Sequence, residues 1–119
     1  MESFPVLERK QIDRLERMGG SAMIGNLIGL FLEHTPKHLA VIQSVAARPS
    51  LGELEAAAHS LKSSAGNLGA RELQGLAQAL ETASGAGETD EAGRLCILLA
   101  ASYERTRDLL LLERQRVSP

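Results

Sequence analysis

The sequence predicts an all-α protein: an antiparallel up-down four-helix bundle with a short additional N-terminal helix. Three observations carry this. Apolar residues recur at helical spacing through four long stretches, and no stretch alternates as a half-buried strand would. Aromatic residues make up 3% of the chain against 44% apolar overall, so the core is Leu, Ala, Ile and Val, which suits packed helices better than a sheet. Most of the eleven glycines and four prolines fall where helices can end. With 119 residues, the chain suits one domain, able to bury a core. Residues 6–114 are expected to be ordered and 115–119 to fray.

The short first helix runs from Glu8 to Met18, with Ile12 and Leu15 inward, and Gly19-Gly20 ends it. It is expected to pack across one end of the bundle. Ser21 is a reasonable N-cap for the next helix. There Ile24, Leu27, Ile28, Phe31, Leu39, Ile42, Val45 and Ala46 keep one apolar phase. Pro36 interrupts the pattern, since proline removes a helix hydrogen bond and clashes with the preceding turn. Because the phase survives it, one kinked helix from Ser21 to Ala47 is favoured over two. Arg48-Pro49-Ser50 reads as a turn.

Leu51 to about Leu68 forms the next helix, with Leu54, Ala57, Ala58, Leu61, Ala65 and Leu68 as its inward stripe. Gly69 suits the left-handed position past its end. Ala70 to Ala83 follows, with Leu73, Leu76, Ala77 and Leu80 inward, then a loop at Ser84-Gly85-Ala86-Gly87. Thr89 or Asp90 caps a last helix reaching about Arg114, striped by Ala92, Leu95, Leu99, Tyr103, Thr106 and Leu110. Short connections between four long amphipathic helices give the up-down arrangement.

One histidine does not belong to any stripe. His59 lies roughly 160° around its helix from the inward Leu61. Its neighbours on that outer face are small: Gly52, Ala56, Ser63 and Gly66, with Glu55 and Lys62 flanking. Lys62 stands one turn along and about 60° around, within reach of an anion at the ring. Small residues let a partner's backbone approach. Neutral imidazole is nucleophilic near neutral pH, so the face reads as a docking surface around a nucleophile. In the antiparallel neighbour, residues about ten positions beyond the turn at Gly69 return to the level of His59. Gln78 and Glu81 are therefore the candidates to hold the second ring nitrogen.

These residues carry a resemblance. His59-Ser60-Leu61-Lys62-Ser63-Ser64-Ala65-Gly66-Asn67-Leu68-Gly69 resembles the histidine phosphotransfer (HPt) motif H-x-L-K-G-S-S-x-x-x-G. His59, Leu61, Lys62, Ser64 and Gly69 match, while Ser63 stands where glycine is usual. The likeness extends through Leu73, Leu76, Ala77, Leu80 and Glu81, and upstream through Phe31 to Leu39, which is similar to F-L-x-x-T-P-x-x-L. The resemblance implies a phosphorelay domain that accepts a phosphoryl group on His59 from one receiver aspartate and passes it to another. Lys62 would then offset phosphoryl charge, and Glu81 would orient the imidazole at a position where several HPt proteins carry glutamine. Gly52, Glu55, Ala56, Ser63, Gly66 and Gln78 would line the docking face, with Ser63 narrowing partner choice or bonding to phosphate.

The implied partners are receiver domains of response regulators or of a hybrid sensor kinase. No cofactor is expected in this chain, the Mg²⁺ being brought by the receiver. There is no glycine-rich nucleotide site, so self-phosphorylation is not expected. A net charge of −2 gives no general basis for nucleic-acid binding, and no apolar run approaches the ~20 residues of a membrane span. The single cysteine excludes an internal disulfide and fits a reducing compartment. A cytoplasmic monomer is expected, although a parent protein could be anchored in an inner membrane. The alternative is an interaction module that restrains a partner through the same face without phosphate chemistry. His34 and His38, four apart, lack a third metal ligand, and packing is the expected role of His38. Cys96 reads as core. Leu109 to Leu112 exceeds one stripe, which suits packing under the first helix or contact with a neighbouring domain or a second chain. Arg71, Glu72, Arg94 and Glu104 read as a solvated face.

Overall fold

The computed structural model describes residues 4–46 and 50–119. Its elements are α1 (Arg9–Ala46), α2 (Leu51–Leu68), α3 (Arg71–Gly85) and α4 (Thr89–Val117). Each helix packs on two others, α1 on α2 and α4, and α3 on α2 and α4. That closes a four-membered ring, the up-down bundle expected from the stripes.

The run called α1 is not straight. Gly20 has φ 78° and ψ −178°, values open to glycine and costly for other residues. A straight helix of 38 residues would be about 57 Å long, whereas the longest extent of the molecule is 45 Å. The short first helix is thus the segment before Gly20, as expected from Gly19-Gly20. It crosses one end of the bundle. Ile12 is fully buried, the Glu8 amide donates to the Gly69 carbonyl at 2.8 Å, and Gln11 donates to the Asn67 carbonyl at 3.0 Å. Beyond Gly20 the helix continues through Pro36 without a break, because Phe31, Leu39 and Ile42 on either side share one buried face. The expected helix end at Ala47 and the turn at Arg48-Pro49 lie outside the described residues, as do the side chains of Val45 and Ala46.

In α2 the buried residues are Leu54, Ala57, Ala58, Leu61, Ala65 and Leu68, the whole expected stripe and nothing else. Gly69 ends it at φ 79° and ψ 19°, its amide returning to the last turn, a left-handed cap. In α3, Leu73, Ala77 and Leu80 are buried and Leu76 is partly buried against them. Ser84 and Gly85, expected in the loop, extend α3 by a half turn, since Ser84 packs inside. The last helix also runs further than expected, to Val117. Val117 packs on the core, and Arg116 pairs with Glu16 at 2.8 Å and Glu113 at 2.7 Å, which holds the final turn. Cys96 is buried with the α4 stripe, and burial pushes its thiol up from the ordinary range. Leu110 is fully buried while Leu109, Leu111 and Leu112 stay exposed. Leu109 and Leu112 share a groove with Leu7, Arg9, Glu113 and Arg116 at the edge of the first segment.

Candidate phosphoacceptor site

The α2 stripe determines where His59 points. With Ala58 and Leu61 fully buried, the side chain between them must leave the bundle, and 62% of the His59 side chain is exposed. Its ring is nonetheless held. Nδ1 lies 2.7 Å from Glu81 Oε2 on α3. An ionised carboxylate only accepts hydrogen bonds, so Nδ1 carries a proton, and in the neutral ring the lone pair is on Nε2. Among the described residues Nε2 has no hydrogen-bond partner, in a ring whose side chain is 62% exposed.

Glu81 has a second partner. Lys62 Nζ donates to Glu81 Oε1 at 2.6 Å. Lys62 and Glu81 are only 24% and 20% exposed, so the three groups form a chain, ammonium to carboxylate to imidazole, with the exposed ring at its end. First the Lys62 hydrogen bond and then that of His59 hold the Glu81 carboxyl below its ordinary range, against some desolvation. The carboxylate is therefore ionised at neutral pH, as the tautomer argument requires. In this arrangement the Lys62 ammonium rests on Glu81.

The surrounding residues divide. Gly52 and Ala56 are exposed, and a Cβ at Gly52 would meet nothing within 4 Å, so this side of the ring is open. Glu55 is exposed and its carboxylate lies against Gly85 at the end of α3. Ser63 is exposed, but its hydroxyl donates one turn back to the His59 carbonyl at 3.3 Å rather than pointing across the ring. Gln78 is exposed and its amide donates to Thr82 at 3.3 Å. Of the two residues returned to the level of His59, Glu81 meets the ring and Gln78 does not.

Gly66 differs from the open surface expected of it. A Cβ there would stand 2.9 Å from the Gln74 amide nitrogen, so its space is taken by α3. Gln74 accepts from Arg71 at 2.8 Å, and Arg71 also donates to the Gly66 carbonyl at 3.3 Å and to Glu8 at 3.1 Å. Arg71 thus ties α2, α3 and the N-terminal segment together and is not a solvated residue. Its partners lie as far as 63 positions away, beyond any periodicity signal. Glu72 is likewise engaged, accepting from Arg105 on α4 at 2.7 Å. Of the remaining histidines, His34 is exposed and His38 half-buried. No group of three or more potential metal ligands occurs among the described residues. No helix among them is long and apolar enough to cross a membrane.

An exposed, carboxylate-held imidazole on the second helix of an antiparallel bundle defines a class. The Hpt domain family model matches residues 26–109, and this chain belongs to that family. It is a histidine phosphotransfer domain of phosphorelay signalling. Its structure is similar to the crystal structure of histidine-containing phosphotransfer protein B (HptB) from Pseudomonas aeruginosa PAO1. That likeness has a TM-score of 0.89 at 25% sequence identity and covers 96% of this chain and 98% of the other. No curated protein matches the sequence.

Proposed function

We propose that His59 is the phosphoacceptor, that Glu81 fixes its tautomer and orientation, and that Lys62 offsets charge on the incoming phosphoryl group. The carrying observation is the 2.7 Å contact between His59 Nδ1 and Glu81 Oε2 beneath an otherwise exposed ring. Nε2 attacks the phosphorus of a receiver's aspartyl phosphate in line. The Nε2–P bond forms, the P–O bond to the aspartate breaks, and the aspartate leaves as a carboxylate. The Nδ1 proton stays where it is, and its positive ring is offset by Glu81. The reverse sequence hands the phosphoryl group to another aspartate. Lys62 exchanges its bond with Glu81 for one with a phosphoryl oxygen as charge moves, a contribution of the positioning and electrostatic kind that governs phosphoryl transfer.

Partners are receiver domains, which supply the aspartate and the Mg²⁺ that binds beside it, and this chain acts as a monomer inside the cell. Gly52, Ala56, Ser63 and Gln78 form the face on which a receiver sits, with Glu55 at its edge. The test is incubation with a phosphorylated receiver domain. Acid-labile, base-stable phosphate on His59, absent from His59→Gln, is the expected result. Binding of the receiver with its phosphoryl group left on its own aspartate and none on His59 would instead favour a module that restrains its partner by contact alone.

A further inference from the structure

The chain has three aromatic residues, two Phe and one Tyr. Phe31 and Tyr103 are buried and face each other with ring centroids 6.3 Å apart. Phe4 is different: it is half exposed and lies before α1, in a segment fastened to the outside of the bundle. The Glu72 amide donates to the Pro5 carbonyl at 2.9 Å, and the Glu8 amide donates to the Gly69 carbonyl at 2.8 Å. Residues 4–8 therefore run as a strap along the α2–α3 turn. The ring of Phe4 rests on α3 at Gly75, where a Cβ would stand 3.1 Å from two of its carbons. Glycine at this position is what lets the ring lie flat on the helix.

The ring forms one wall of a groove of about 250 Å³ whose other walls are Lys62, Arg71, Gln74, Gly75 and Gln78. Lys62 belongs to both this groove and the His59–Glu81 chain, so the two surfaces are continuous. Gly75 lies six residues before Glu81, about 9 Å along the helix axis and about 120° around it, while Gln78, on the wall between them, lies about 60° around from Glu81. Even a weak protein–protein contact of ~500 Å² per side is a disc of about 13 Å radius. A receiver that brings its aspartate to His59 therefore reaches the near walls of the groove, Lys62 and Gln78, and a standard interface of ~800 Å² per side, a disc of about 16 Å radius, extends toward Phe4. The floor is aromatic and glycine, and the rim carries two cations and two amides.

We infer that the N-terminal strap is part of the receiver-docking surface and that Phe4 is a specificity-determining contact. It takes an apolar side chain of the receiver, while the amide and cationic rim meets backbone carbonyls or a carboxylate beside it. The inference rests on the phosphotransfer reading but assigns a residue outside its machinery. An exposed aromatic at a site rimmed by polar groups is the type of residue that dominates interface energetics.

The experiment separates the docking step from the chemistry. Phosphoramidate, too small to touch Phe4, labels His59, and the labelled protein is chased with each receiver domain of the source genome. The fastest acceptor for the unsubstituted protein becomes the probe. Phe4→Ala is expected to leave phosphoramidate labelling and melting temperature unchanged and to lower kcat/KM for the receiver about tenfold, mainly through KM. Phe4→Leu is expected to recover most of the loss. Gly75→Ala keeps the ring but pushes it off α3, and is expected to raise KM in the same direction by a smaller factor. Unchanged KM in Phe4→Ala overturns the inference, as does an equal fall in the phosphoramidate and receiver reactions, which would mark a structural role. If the unsubstituted protein passes phosphate to none of the receivers, the phosphotransfer reading fails and this inference fails with it, before any variant is made.

Discussion

Two glutamates at opposite parts of this bundle are each held by two cationic or protonated partners, and they do different work. Glu113 on α4 is 4% exposed and pairs with Arg9 and with Arg116, the latter at 2.7 Å. Arg116 reaches on to Glu16, so the cluster clamps the first segment of α1 to the end of α4. Glu81 on α3 has a similar arrangement with Lys62 and His59, but one of its partners is a ring that stays 62% exposed. The first carboxylate is surrounded and ties helices together. The second holds an imidazole at the edge of water with one nitrogen unused. The comparison teaches that ion-pair geometry alone does not mark a functional carboxylate. What sets Glu81 apart is the exposed ring that it holds.

Substitutions break the comparison in different ways. The largest effect is expected from His59→Gln, which keeps size and polarity but offers no nucleophilic ring nitrogen. Phosphate incorporation from a receiver falls below detection while circular dichroism melting is unchanged. Glu81→Ala comes next. Loss of a carboxylate that orients a metal-bound imidazole costs about 10- to 100-fold, and a slowing of that order in phosphotransfer assays is expected here, with Glu81→Gln recovering part of it. Glu113→Ala is expected to do the reverse. It removes a buried acceptor shared by two arginines that can turn to solvent, lowering stability by about 1–3 kcal/mol in chemical denaturation without changing the transfer rate.

The smallest effect is a pH dependence. Glu81 is held below its ordinary range in the folded protein, so its contribution to stability is present above the unfolded-state value and is lost as pH falls through the lowered folded value. The stability difference between the unsubstituted protein and Glu81→Gln is therefore expected to shrink on acidification. A difference that grows as pH falls would contradict the bonding described.

Much of this is legible in the sequence. A clean period of 3.6 in α2 was enough to assign every buried residue and so to turn His59 outward. Counting back from the turn at Gly69 brought Gln78 and Glu81 to its level, because antiparallel helices of equal rise return at equal distance. Periodicity carries no information on contacts between helices, and there the reading fell short. Gly66 is backed by Gln74, Arg71 is a three-way tie, and Lys62 bonds across to α3 rather than waiting over the ring. Glu113 sits at a core position of α4 where a charged residue reads as surface until Arg9, over a hundred positions away, is brought beside it. The strap at Phe4 and Pro5 has no periodicity at all.

The most direct test is nuclear magnetic resonance of the phosphorylated protein with ¹⁵N-labelled histidine. Phosphorus coupled to Nε2 of His59, with Nδ1 protonated and its proton shifted by the Glu81 bond, is the predicted result. Phosphorus on Nδ1, or on His34 or His38 instead, would contradict it.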